Sequence, residues 1–392
     1  MNKLSYLLKT SRFLYAVYFY LMSGLIRFLG LFVRIDDKLI LFNCYGGKKY
    51  DDSPKAIYEE MLRDERFAGY RFCWALQSPS SVSVPGPASI VRSDSFKYFL
   101  MTQKARVWVT NSSMERGLDI KKKKTFCLNT WHGTAIKVMG ADIKSDNKSF
   151  KSKVLVRADV MCAQGQYDVD TFSRCFCLPV SSLRITGLPR NDALASCSSV
   201  SSIRSSLGIP SDKTVLLYAP TFREYTKGDS NEIVLDIPMT LSKWQSSLGD
   251  RFVVLFRAHY EVARHMNISG YPMFIDVSSY PDLNELMLAS DALISDYSSI
   301  YFDYSVMHKP MYCFAYDYDD YKKNRGMYLD LKSELPCEIH FFESSLIDSL
   351  MCFSSERSAL SARCAEFQSK YVTEYGNGAS KCCDILMDEV LS

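Results

Sequence analysis

No G-x-G-x-x-G turn, no Walker lysine loop and no H-E-x-x-H helix occurs in the 392 residues, which removes dinucleotide, P-loop and zincin chemistry. Histidine is scarce, with five in the chain (His132, His259, His265, His308 and His340), and C-x-x-C pairs are lacking. Zinc sites are built on such pairs, so none is expected. The thirteen cysteines are scattered singly apart from Cys175/Cys177 and Cys382/Cys383. With no cleavable signal peptide evident, they read as buried thiols of a reducing cytosol rather than a disulfide framework. Asp317, Asp319 and Asp320 match no calcium loop, so no metal is expected. Proline (13) and glycine (18) are too few for a collagen-like chain, and a composition 47% hydrophobic and 23% charged excludes disorder.

Nor is there an excess of one charge: 47 basic against 44 acidic side chains leave +3, which argues against a generic nucleic-acid binder. The distribution is uneven, however. Residues 1–34 carry five basic residues (Lys3, Lys9, Arg12, Arg27 and Arg34) and no acid. Residues 97–157 carry 14 basic against 4 acidic, and from Ala258 to the end there are 10 against 21. The N-terminal half is thereby suited to an anionic partner.

One long apolar run is present. Residues 13–33 (FLYAVYFYLMSGLIRFLGLFV) are interrupted only by Arg27 among charges, and about 20 apolar residues suffice to cross a bilayer core. The mid-segment arginine, basic flanks and abundant Tyr and Phe fit an in-plane helix at an anionic lipid surface as well. A helix packed on the globular body is the third possibility.

After Arg34, short apolar runs alternate with helical stretches. Strands are expected at 38–47, 70–76, 106–111, 125–131 and 154–164, with helices at 53–67 and 95–105. The polar, Ser-rich 195–206 reads as a linker or connecting helix. The rhythm then restarts, with strands at 214–220, 252–259, 291–299 and 310–317, a helix at 281–290 and mostly helix over 343–387. Such βαβα alternation predicts an α/β fold with parallel, doubly wound sheets. The expected division is a membrane-associating segment 1–34, an acceptor domain 35–200 and a donor domain 201–392. Two Rossmann-like domains in tandem would place ligands in a cleft at the strand C-termini.

Four constellations fall at such ends. In NTWHGTAIKVMG (129–140) a strand leads through His132-Gly133-Thr134 into an expected helix, a position suited to proton transfer. A capping or core histidine would fit the same spacing. In YAPTFRE (218–224) a strand opens at Thr221 and Arg223; in RAHY (257–260) Arg257 and His259 share one face by the period-2 rule. In SDYSSIYFDY (295–304) Asp296, Ser298 and Ser299 precede an expected amphipathic helix whose N-terminus favours an anion. A surface arginine or an ordinary Ser cap would explain each motif taken alone.

Taken in order, these segments resemble the CDP-glycerol glycerophosphotransferase family of teichoic acid and capsule enzymes. FNCYGGKKYDDSPKAIYEE (42–60), GLPRND (187–192), KPMYCFAYDYDDY (309–321), RGMYLD (325–330) and GNGAS (376–380) extend the resemblance over roughly 38–385. It implies a two-domain GT-B architecture, no essential cofactor or metal, and a peripheral place on the inner face of the cell membrane. The implied reaction moves glycerol phosphate from CDP-glycerol to an acceptor hydroxyl, with CDP-ribitol or a sugar nucleotide as the alternative donor. It assigns catalysis to His132 and His259, and donor recognition to Arg257, Ser298, Ser299, Thr221, Asp296 and Arg325. Thr134, Lys137, Arg190, Asn191 and Asp192 are implied as acceptor-side or secondary residues. Ala135 stands where many relatives have proline, and the length resembles primases and short transferases rather than long polymerases. The expected acceptor bears phosphates, is lipid-linked or saccharide, and would meet the basic 97–157 stretch, including Lys121, Lys122, Lys123 and Lys124.

Overall fold

The computed structural model describes residues 11–143, 156–196, 200–221, 238–258 and 268–391. His259 and the part of YAPTFRE beyond Thr221 lie outside the described residues.

The apolar runs form two all-parallel sheets. The first is seven-stranded, ordered β3-β2-β1-β4-β5-β6-β7: β1 Asp36–Asn43, β2 Arg71–Leu76, β3 Ser89–Arg92, β4 Ala105–Thr110, β5 Phe126–Asn129, β6 Val160–Ala163 and β7 Leu183–Ile185. The second is six-stranded, ordered β10-β9-β8-β11-β12-β13: β8 Thr214–Tyr218, β9 Phe252–Phe256, β10 Phe274–Asp276, β11 Ala292–Ser295, β12 Met311–Phe314 and β13 Ile339–His340. Each order runs outward from its first strand in both directions, which is the doubly wound pattern. The central strands are buried on both faces, as parallel sheets require.

By their contacts the residues divide into two compact units: Met1–His132 with Met139–Asp192 and Glu374–Ser392, and Gly133–Val138 with Ala193–Thr373. This grouping differs from the boundaries expected from sequence at three places, the first being the junction itself, which falls between Asp192 and Ala193 rather than after residue 200. Six residues after His132 go with the second sheet, and the closing stretch from Glu374 goes with the first.

In the first unit, helix α1 (Arg12–Leu31), α2 (Asp52–Met61), α3 (Phe96–Lys104) and α4 (Gln166–Phe176) accompany the sheet. Phe42 stacks on Trp74 at 5.2 Å, with Tyr58 edge-on at 5.4 Å to Phe42, fixing α2 over β1 and β2. α1 has one face tied down. Its Tyr15 hydroxyl donates to the Gly117 carbonyl at 3.0 Å, its Ser23 hydroxyl accepts the Asp119 amide at 3.0 Å, and Arg27 pairs with Asp119. The arginine that interrupts the apolar run is thus satisfied by protein. The other face, including Phe13, Tyr20, Leu21, Phe28 and Leu31, is exposed.

In the second unit, α5 (Leu283–Ala289), α6 (Ile300–Ser305), α7 (Tyr318–Arg325) and α8 (Phe353–Tyr371) surround the second sheet. Two sequence expectations need correction. No helix follows His132: Gly133–Val138 is irregular, with Gly133 at φ +138°, far from helical dihedrals, and Lys137 bridged antiparallel to Met327. And α6 is buried along its whole length rather than amphipathic.

Candidate active site

In doubly wound sheets ligands bind beyond the strand C-termini, where the strand order reverses. Here those points are β1/β4 in the first sheet and β8/β11 in the second. The described residues of all four constellations fall at or beside them.

In the first unit the loops after β1 and β4 are sewn together. The Tyr45 amide donates to Asn111 Oδ1 at 2.8 Å, and the Gly46 amide to Ser112 Oγ at 3.2 Å. Gly46 has φ +67°, a left-handed conformation that favours glycine, and any Cβ there would displace the end of the Arg116 side chain. β5 ends next door at Asn129, and His132 follows. Its Nδ1 lies 2.8 Å from the Asn111 carbonyl oxygen. A carbonyl oxygen only accepts, so Nδ1 carries the hydrogen and the neutral ring presents the Nε2 lone pair. Trp131 stacks on the ring at 4.1 Å, and Tyr45 tilts against it at 5.8 Å. Burial is the largest influence on this imidazole and lowers its pKa; the Asn111 bond raises it, Arg190 lowers it and Asp52 raises it. The balance lies below the ordinary value, which keeps the ring in the form a general base needs.

In the second unit Asp296 braces the reversal point. Its Oδ1 accepts the Thr221 amide at 2.8 Å and the Tyr297 amide at 2.6 Å, and Ser295 Oγ donates to the Ala219 carbonyl at 2.7 Å. Asp296, expected among the donor-binding groups, is buried and joins the loops after β8 and β11. Ser298 Oγ accepts the Ile300 amide at 3.3 Å, and both Ser298 and Ser299 remain partly exposed. The Arg257 Nη1 donates to the carbonyls of Val277 at 2.9 Å and Tyr280 at 2.6 Å, which orients its fork. The segment after His132 joins the same unit: the Val138 amide donates to the Gly326 carbonyl at 3.3 Å, and the Tyr328 amide to the Ile136 carbonyl at 2.7 Å. Lys137 Nζ stands 5.5 Å from the centre of the Tyr321 ring, which itself stacks on Tyr297 at 3.8 Å.

With this geometry in view, comparison with known proteins gives a consistent answer. The family described as CDP-Glycerol:Poly(glycerophosphate) glycerophosphotransferase matches residues 25–387. The chain belongs to this family. Among relatives of this chain, the teichoic acid poly(glycerol phosphate) polymerase of Staphylococcus epidermidis is 35% identical over 322 residues, 78% of this chain. The chain spans only 44% of that polymerase. The teichoic acid glycerol-phosphate transferase of Staphylococcus aureus is 31% identical, with 89% of this chain and 92% of that one covered. The solved structure of the wall teichoic acid polymerase TagF superimposes with a TM-score of 0.85 at 30% identity, covering 100% of this chain and 99% of that chain. The GT-B-like α/β fold expected from sequence is therefore the fold of this chain.

The remaining expected site residues of this glycerophosphotransferase-family chain take varied positions. Arg325 is exposed at the end of α7, whereas Thr134 is buried. Asn191 is buried, its Nδ2 donating to Gln164 Oε1 at 3.2 Å. Asp192 accepts the amides of Gly378 and Ala379 at 2.8 Å each, capping the helix Gly378–Leu386 from outside it. Arg190 is the member of that turn that approaches His132: its Nη1 donates to the His132 carbonyl at 3.0 Å and to Asp52 Oδ2 at 2.8 Å. Tyr45, Asp52 and Asn111 were not singled out from the sequence. Asn111 could have been, since it follows a strand just as His132 does.

Proposed function

We propose that this chain transfers glycerol phosphate from CDP-glycerol to a hydroxyl of a phosphate-bearing acceptor, lipid-linked or saccharide, releasing CMP in teichoic acid or capsular polymer synthesis. The observation that carries the reading is His132: neutral, with its tautomer fixed by Asn111, beside the reversal point of the first sheet. The glycerol-phosphate relatives and a TagF structure soaked with CDPG support the donor.

His132 Nε2 takes the proton of the acceptor hydroxyl as its oxygen attacks the glycerol-bearing phosphorus in line. The bond to the CMP oxygen breaks, and CMP leaves with that electron pair. Negative charge gathers on the phosphoryl oxygens, where Arg257 and the Ser298/Ser299 turn stabilise it, with His259 in support. Thr221 and Arg325 serve as further donor contacts. Mass spectrometry of the product from a synthetic lipid-linked acceptor tests this against CDP-glycerol, CDP-ribitol and UDP-sugars in parallel. We expect glycerol phosphate to be added from CDP-glycerol alone. Addition of ribitol phosphate or of a sugar instead would overturn the donor assignment. One increment marks a primase, and a ladder marks a polymerase.

The protein sits peripherally on the inner face of the cell membrane, with α1 in the plane of the lipid. Phe13–Leu31 is apolar enough by length and composition to span, with a mean hydropathy of 1.5, but its tied face and exposed apolar face suit the interface. Carbonate extraction is expected to release the protein; retention in the pellet would favour a span. Of the lysine cluster, Lys121 pairs with Asp159 at 2.8 Å and Lys122 donates to the Val33 carbonyl at 2.7 Å, so Lys123 and Lys124 are the better candidates for meeting the acceptor's phosphates.

A further inference from the structure

We infer that Asp52 and Arg190 are positioning residues for His132: a buried ion pair that clamps the backbone of the histidine and balances the charge around its ring. The inference rests on the reading of His132 as the base.

The pair is closed on all sides. Arg190 Nη1 donates both to Asp52 Oδ2 at 2.8 Å and to the His132 carbonyl at 3.0 Å. The Tyr45 hydroxyl donates to the same Oδ2 at 2.5 Å, the Ser53 amide to Oδ1 at 2.6 Å, and the Arg190 amide to Ser53 Oγ at 3.3 Å. The side chains of Arg190 and Asp52 are only 13% and 5% exposed. A buried pair of this kind seldom stabilises a fold more than apolar residues of the same volume would, so its presence calls for a positional reason. Backbone strain points the same way. Tyr45 (φ +48°), Asp52 (φ +60°) and Trp131 (φ +50°) are non-glycine residues in the left-handed region, and all three surround His132 or its clamp. The imidazole is thus held twice, through its ring by Asn111 and through its main chain by Arg190.

The two charges also act on the ring in opposite senses, Arg190 disfavouring the imidazolium and Asp52 favouring it. The other titratable groups nearby are Cys44 and Tyr45 from the loop after β1, both kept protonated by burial, and Asp51 beside Asp52. Asn111, from the loop after β4, is uncharged. Asp52 is itself kept ionised: burial raises its pKa, but Arg190, the Tyr45 hydroxyl and the Ser53 amide together bring it below the ordinary carboxylate value.

The test is a pair of charge-removing variants with opposite expected signs. NMR titration of the imidazoles, with His132 assigned by its loss in His132→Gln, is combined with the pH profile of CMP release. In Asp52→Asn the unbalanced arginine should lower the His132 pKa and move the acid limb of kcat to lower pH. In Arg190→Gln the unbalanced carboxylate should raise the pKa and move the limb to higher pH, and the double variant should return near the wild type. Each single variant should also lose roughly tenfold to a hundredfold in kcat with little change in the donor KM, as expected of a misplaced base. Arg190→Lys and Asp52→Glu keep the charges, so they should restore the limb's position without restoring kcat in full; they serve if the neutral variants fold poorly. Shifts of the same sign, or none in either variant, would overturn the inference while leaving His132 as the base. Opposite NMR shifts that the acid limb does not follow would instead overturn His132 as the base and leave the clamp standing.

Discussion

His132→Ala is expected to lower CMP release by about 100-fold to 10,000-fold, the range over which a positioned general base contributes, while CDP-glycerol still binds measurably. The separation follows from where the groups lie. His132 belongs to the first unit, and the residues assigned to the donor, Arg257, Ser298, Ser299 and Thr221, belong to the second. The imidazole touches Asn111, Trp131 and Tyr45, all of the first unit. The loss should therefore fall on kcat rather than on donor affinity. It should persist with saturating acceptor, because the missing step is removal of the acceptor's proton. Its pH dependence provides a second check. Burial and Arg190 hold the imidazole below its ordinary pKa, so wild-type kcat should rise with pH through a value lower than that of an exposed histidine. In His132→Ala that limb should vanish together with the rate. CMP release near the wild-type rate, measured on single turnover with bound donor, would remove His132 from the chemistry.

How far this arrangement was legible in the sequence depends on the length of the signal. Runs such as KLILFN and TVLLY carry enough apolar residues to mark β1 and β8. β3, β7, β10 and β13 are two to four residues long and leave almost no periodicity to read. The stretch after His132 was misread as helix because a Gly-Thr turn beyond a strand often starts one. Residues 195–206 were ambiguous between linker and helix, and Val200–Ser206 is helical, with Arg204 joined to Asp291 at 2.8 Å.

The candidate site was legible where its proposed residues lie at a strand end and illegible where it depends on distant partners. His132, Arg257 and Ser298 each follow a strand by a few residues, which marks them locally. Asp52 and Arg190 are 138 positions apart, and nothing local says that one side chain meets the other. Asp192 illustrates the converse. Its place in a shared motif suggested ligand contact, whereas its carboxylate caps a helix beginning 186 residues later.

Arg257→Gln is expected to cost about 100-fold to 1,000-fold in turnover, the usual loss when one donor to a developing oxyanion is removed. Arginine offers five N–H donors in a rigid plane, and here the bonds from Nη1 to the Val277 and Tyr280 carbonyls fix the orientation of that plane at the end of β9. Glutamine is neutral and shorter, so the phosphoryl oxygens lose a charge and the 277–280 loop loses its tie. These two consequences separate experimentally. Loss of the tie should appear as a lower melting temperature, equivalent to about 1.5–3 kcal/mol for hydrogen bonds from a charged group. Loss of the phosphate contact should appear as a raised CDP-glycerol KM and a reduced kcat at temperatures where the variant is fully folded. Arg257→Lys sharpens the distinction, since it restores a positive charge but not the fork, and should recover part of the donor affinity and little of kcat. A variant that melts lower yet turns over CDP-glycerol at nearly the wild-type rate would assign Arg257 to bracing the loop and shift the phosphate-binding role to the Ser298/Ser299 turn.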